Sequence, residues 1–186
     1  MEINRATRRI VTGHDIDGKA VALFDGPVSA KQRSPGGNAV TQLWVTQEMP
    51  IDVNAGTDRA ETKVGVPPPR NGTIFRIVDF PPSPASSGHK VDHHQILIGM
   101  GIDPATQGYQ RHDHTHRTRS IDYAIVLDGE IDMLMDDTEV RVRAGDVLVQ
   151  QGTNHAWVNN GDKPCRIAFI LIDAQDPPAW QKGWTK

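Results

Sequence analysis

Three of the eight histidines fall at alternate positions in "RHDHTHRTRSIDYAIVLDGE", residues 111–130. In an extended segment, side chains two apart point the same way. His112, His114 and His116 are therefore expected on one face, with Asp113 and Thr115 on the other. A single imidazole on a sheet is usually a satisfied packing residue. Three in line are hard to satisfy by packing, because each carries two ring nitrogens, and neutral imidazole is a ligand for zinc, iron, nickel and copper. The next segment places Asp122, Ala124 and Val126 on one face and Tyr123, Ile125 and Leu127 on the other. An acid beside small apolar neighbours is costly to bury unless paired or bound to a cation. In "GTNHAWVNN", His155 begins a strand after a glycine turn and shares its face with Trp157. Two or three imidazoles plus one carboxylate, drawn from three strands, make a mononuclear metal site.

The elements that must position these residues read as short strands. "RRIVTG", "KAVALFDG", "AVTQLWVTQ", "GTIFRIVDF", "HHQILIGMGI", "IDYAIVLDG", "EIDMLMD", "EVRVRAG", "DVLVQQG", "HAWVNN" and "CRIAFILIDA" are each bounded by Gly, Pro, Asn or Asp. Two tight hairpins are expected: "VLDGEID", whose Asp128-Gly129 suits a type I′ turn, and "LMDDTEV". "SAKQRSPGGN", "VNAGTDRAETKVGVPPPRNG" and "PPSPASSGHK" read as loops, and the last two carry proline clusters that cannot join a ladder. Many short strands with regular turns predict an all-β sandwich or barrel. One structural domain is expected, with 1–100 as strands and loops packing on a barrel, 101–174 as the barrel core, and 175–186 as a tail whose two tryptophans pack back on it or onto a partner.

Bulk properties narrow the classes. The 186 residues suffice for one sizeable core. A formal charge of −3 gives no electrostatic reason to expect nucleic acid or an anionic membrane. No apolar run has the length of a membrane span, and the first residues lack the apolar stretch of a secretory signal, so a cytoplasmic home is expected. The one cysteine, Cys165, lies in an apolar run and reads as a buried structural thiol.

The C-terminal half resembles the cupin family of jelly-roll barrels. Its first motif runs Gly, five residues, His-x-His, three or four residues, Glu, six residues, Gly; here Gly108 precedes "YQRHD", then come His114 and His116, and the six residues "YAIVLD" separate Asp122 from Gly129. Its second runs Gly, five residues, Pro-x-Gly, two residues, His, three residues, Asn, matched by Gly145, Gln150, Gly152, His155 and Asn159. Asp122 stands where the motif has Glu, after a gap of five residues from His116, and Gln150 replaces the proline.

The resemblance implies a cupin jelly-roll β-barrel with an elaborated N-terminal β segment. It implies a divalent transition metal on His114, His116, Asp122 and His155, iron first, with zinc, nickel or manganese as alternatives. Asp122, one methylene shorter than Glu, is either a ligand or an acid orienting a ligand histidine. His112 is a third imidazole or a base at the rim, and His112 and Asp122 are the acid–base candidates. Ala124, Val126, Met133 and Trp157 would line an apolar pocket, with Arg119 (or Arg117, Arg141 or Arg143) for a substrate carboxylate. For Arg141 and Arg143 an outer solvated face is the default.

The family spans many chemistries, so fold alone does not choose among them. The expected activity is a metal-dependent oxidoreductase, a dioxygenase acting on a small aromatic or 1,3-dicarbonyl compound. The alternatives are a non-redox isomerase, cyclase or decarboxylase, and a non-catalytic small-molecule binder. A homodimer is expected from the resemblance. His93 and His94 are expected to point opposite ways in a strand, at the surface or an interface, and His14 and His89 to lie exposed in turns.

Overall fold

The structure, a computed structural model, describes residues 6–28, 32–33, 37–53, 56–83 and 92–181. His89, Trp184 and most of the loops "SAKQRSPGGN" and "PPSPASSGHK" lie outside the described residues. In chain order the N-terminal half holds β1 (Thr7–His14), β2 (Ala20–Val28), β3 (Gln32–Arg33), β4 (Ala39–Thr46) and β5 (Thr73–Phe80). A helix, α1 (His93–Gly99), follows. Then come β6 (Ser120–Asp128), β7 (Glu130–Leu134), β8 (Glu139–Arg143), β9 (Val147–Gln151), β10 (Ala156–Val158) and β11 (Cys165–Asp173).

All pairings are antiparallel. The larger sheet runs β3-β4-β5-β11-β6-β9, the smaller β10-β7-β8, and β1-β2 form a separate ribbon. Two-residue alternation is clean in β6, where Ser120, Asp122, Ala124 and Val126 are buried and Tyr123, Ile125 and Leu127 are exposed. The main core lies between the sheets: Ile74, Val126 and Ile167 from the larger one meet Ile131 and Val142 from the smaller. This is the jelly-roll β-barrel that the resemblance implies, and the N-terminal half supplies strands to its larger sheet. The ribbon is tied on by Arg9, which pairs with Asp58, donates to the Leu43 carbonyl at 2.9 Å and lies over the rings of Phe24 and Trp44. Cys165 is fully buried and burial pushes its thiol up to about 12, as a packing residue should be. No helix among the described residues is long and apolar enough to cross a membrane.

Two local expectations are corrected. "HHQILIGMGI" is helical where a strand is expected. Asp92 caps it by accepting from the His94 amide at 3.0 Å, the adjacent Ile96 and Leu97 are both buried, and Gly101 ends it at φ +73. Neighbours that are both apolar and both buried do not fit a half-buried strand. His93 and His94 therefore do not oppose each other across a sheet; His93 Nδ1 lies 2.7 Å from the Asp113 carbonyl oxygen.

The Asp128-Gly129 step is not a hairpin either. β6 pairs with β11 and β9, whereas β7 pairs with β8 and β10, so this step carries the chain from one sheet to the other. A type I′ turn needs φ above zero at both central residues, and only Gly129 has it, at +77. The other hairpin forms as read, closed by the Met135 amide on the Thr138 carbonyl at 2.8 Å.

Gly129 is required twice over, because a Cβ there would lie 2.6 Å from the Pro164 carbonyl oxygen. Gly129→Ala is expected to destabilise the protein by more than about 1 kcal/mol. A urea midpoint equal to that of the wild type would contradict this.

Candidate functional site

Residues 111–115 turn where a strand is expected. The Thr115 amide bonds to the His112 carbonyl at 2.9 Å, and the Thr115 hydroxyl accepts from the His112 amide at 2.8 Å. The bend buries Thr115 and breaks the parity that would have aligned the three histidines. His112 and His114 remain a half-buried pair, ring centroids 5.7 Å apart. His116 leaves them for another partner. It forms an antiparallel bridge with His155, each amide donating to the other's carbonyl at 2.9 Å, which sets their rings 4.6 Å apart in the barrel.

The hydrogen bonds at Nδ1 constrain the tautomers. His116 Nδ1 lies 2.9 Å from the His114 carbonyl oxygen, and His155 Nδ1 lies 3.0 Å from that of Thr153. A carbonyl only accepts, so an Nδ1–H at each ring leaves Nε2 with a lone pair. His155 Nδ1 is also 3.0 Å from Gln150 Nε2, and it cannot donate to Thr153 and accept from Gln150 together. The tautomer with Nδ1–H on Thr153 is the one that frees Nε2. Burial, with the neighbouring His116 adding to it, lowers His155 to about 3. Burial lowers His116 as well, so both rings are neutral at pH 7.

Asp122 stands opposite Gln150 on the next strand. Its Oδ2 accepts from Gln150 Nε2 at 3.4 Å, so one amide touches both the carboxylate and the Nδ1 edge of His155. Oδ1 is buried and has no hydrogen-bond partner among the described residues. Burial raises the Asp122 carboxyl to about 6, while Ser120 and the Arg76 charge work the other way.

The structure thus pairs His116 with His155, sets Asp122 against Gln150, and leaves His112 and His114 half-buried in the turn. Among the described residues, no group of three or more His, Cys, Asp and Glu side chains is drawn together as a metal cage. His112 Nδ1 lies 3.2 Å from the His114 amide and accepts from it; in the neutral ring the proton then sits on Nε2. Ala124, Val126 and Met133 are buried, and Trp157 is half-buried, set edge-on to His155 at 6.2 Å and to Phe169 at 5.7 Å. Arg119 does not join them. It lies outside the barrel, bonded to Asp173 at 2.8 Å, because odd positions around β6 face outward. Arg117 stacks on Trp180 at 4.3 Å, and Arg141 and Arg143 pair with Asp132 and Glu130.

Two members of the group were not singled out as site residues by sequence reasoning. Gln150 was noted only as a motif departure. Arg76, 7% exposed, projects from β5 in line with Phe169 and Ala124. Its signal was present in "TIFRIVDF", where a charge shares its parity with Ile74, Val78 and Phe80.

Comparison with known proteins agrees with this architecture. The Cupin_2 family model, a cupin domain, matches residues 100–172. The chain is 30% identical to the cupin-domain-containing oxidoreductase srdD of Neurospora crassa over 90% of its own length and 76% of that protein's. It is 31% identical to the phomopsin biosynthesis cluster protein C′ of Diaporthe leptostromiformis, covering 92% and 80%. A solved cupin 2 conserved barrel protein from Salinispora arenicola superposes with a TM-score of 0.39 at 15% identity, over 77% of this chain and 82% of that one.

The opposed shifts give a pH signature in chelator-treated protein. His155, lowered from 6.5 to about 3, contributes stability that is present above pH 6.5 and lost as pH falls towards 3. Asp122, raised from 3.8 to about 6, has the other sign: its contribution is present below pH 3.8 and lost as pH rises through 6. Between pH 7.5 and 4, His155→Gln should flatten the fall in urea midpoint and Asp122→Asn should steepen it. Slopes unchanged from the wild type would contradict the burial of both groups.

Proposed function

The chain belongs to the cupin superfamily, and from that premise we propose that it is a metal-dependent oxidoreductase, an iron(II) dioxygenase acting on a small aromatic or 1,3-dicarbonyl compound. Its similarity to proteins named cupin-domain-containing oxidoreductases supports the oxidoreductase-type role at the general level. The observation that carries the finer reading is the bridged His116–His155 pair, neutral and with both Nε2 atoms free of hydrogen bonds to their own carbonyl anchors.

The donor set fits a borderline divalent ion. His116 and His155 would hold it through Nε2, and the unbonded Oδ1 of Asp122 is the carboxylate oxygen of the same interior. Bound there, iron supplies Lewis acidity and a redox couple beside a chelating substrate. The protein's own residues do the rest. Thr153 and His114 carbonyls fix the ring orientations, and Gln150, beside His155, donates to Asp122 Oδ2. Ala124, Val126, Phe169 and Trp157 offer apolar walls that exclude water and suit a flat molecule.

A second reading is a non-redox isomerase, cyclase or decarboxylase. It is favoured by Asp122, whose carboxyl near pH 6 can hold a proton at Oδ1 and return it.

Chelator-treated protein loaded anaerobically with iron(II) is expected to take up oxygen when given pentane-2,4-dione or catechol as probes. His116→Ala and His155→Ala should each reduce that uptake by about a hundredfold or more, while retaining the circular dichroism of the wild type. Turnover that proceeds without oxygen would contradict the dioxygenase reading and favour the second.

A further inference from the structure

Arg76 is a buried cation that no carboxylate among the described residues contacts. Its strand turns it inward, and its row in the sheet continues through Phe169 to Ala124, both in the barrel core. The guanidinium donates to the carbonyl oxygens of Gly65 at 3.2 Å and Val66 at 2.6 Å, which are neutral acceptors. No carboxylate among the described residues lies within ion-pair distance of it. The contrast is Arg166, equally buried, which stands 3.6 Å from the Asp79 carboxylate. The acid that feels Arg76 is Asp122, which lies beyond ion-pair distance, and His116 feels the same charge. Burial lowers Arg76 to about 10, which leaves it a cation at pH 7. A buried charge without a counter-charge is costly, and a fold that keeps one next to a cluster of ligand-type side chains has a use for it.

We propose that Arg76 anchors an anionic substrate, so that the molecule bound in this barrel carries a carboxylate, phenolate or enolate oxygen. The planar fork of a guanidinium suits such an oxygen, which would supply in contact the counter-charge that Asp122 provides only from beyond ion-pair distance. A divalent ion on the neighbouring imidazoles would add positive charge and strengthen the preference. The assignment deepens the proposed function, since it takes the barrel interior as the substrate chamber. It also differs from the arginines suggested by sequence, Arg117, Arg119, Arg141 and Arg143, each of which is engaged elsewhere.

The test compares benzoate with benzamide, a neutral molecule of the same shape, by calorimetric titration into chelator-treated protein at pH 7.5. Without metal, any preference for the anion comes from the protein. Benzoate is expected to bind at least tenfold more tightly than benzamide. Arg76→Gln should bring the two within twofold, and Arg76→Lys, which keeps the charge but loses the fork, should retain part of the preference. Melting temperatures of both variants separate a lost anchor from a lost strap over residues 65–66, and should Arg76→Gln not fold, the lysine variant and the wild-type ratio carry the test. Equal affinities in the wild type, no binding of either probe, or an undiminished preference in folded Arg76→Gln overturns the proposal. No oxygen uptake is read, so failure of the dioxygenase assay and failure of this one are separate results.

Discussion

Two backbone hydrogen bonds, between His116 and His155, hold together what the rest of the site depends on. They lie outside every regular strand, yet they join the turn before β6 to the start of β10 and so close one end of the barrel. Because the bonds are made by the main chain, they fix the spacing of the two imidazoles whatever the side chains do. The carbonyls of His114 and Thr153 then set the rotation of each ring. Imidazoles held this way need little side-chain reorganisation to receive an ion, which is the condition for a well-positioned centre.

The interior around that bridge is an apolar barrel with a small ionic inventory. Asp122, Arg76, His116 and His155 are all at least nine-tenths buried. Burial pushes each toward its neutral form: the carboxyl up, the imidazoles down, and the guanidinium down without discharging it. With neutral rings, the charges of that interior are Arg76 and Asp122, which lie beyond ion-pair distance of each other. A divalent ion beside the carboxylate and an anionic substrate beside the guanidinium would each give one of them a partner in contact, which links the two proposals made for this interior.

Much of the architecture was legible because β periodicity is a local property. Ten of the eleven quoted segments are strands, and the inward placement of Asp122, Ala124 and Val126 followed from parity alone. The misses share one cause, local side-chain or backbone bonding that overrides pattern. Asp92 capped "HHQILIGMGI" into a helix, the Thr115 hydroxyl bent the histidine segment, and the Asp128-Gly129 turn served a change of sheet instead of a hairpin. For the site, motif spacing pointed to His116, Asp122 and His155; the structure bridges His116 to His155 and sets Asp122 against Gln150. Arg119 is expected from the sequence to bind a substrate carboxylate, whereas strand parity turns that residue out and turns Arg76 in. An inward charge on an apolar strand was the more informative signal.

The Nε2 atoms of His116 and His155 are proposed to hold a divalent ion in the barrel. Cobalt(II) titration of chelator-treated protein, followed by its visible absorption, tests this most directly. The account predicts one equivalent bound, abolished in both His116→Gln and His155→Gln and retained in His112→Gln. Cobalt binding that is the same in His155→Gln as in the wild type, or a wild type that binds none, would contradict it.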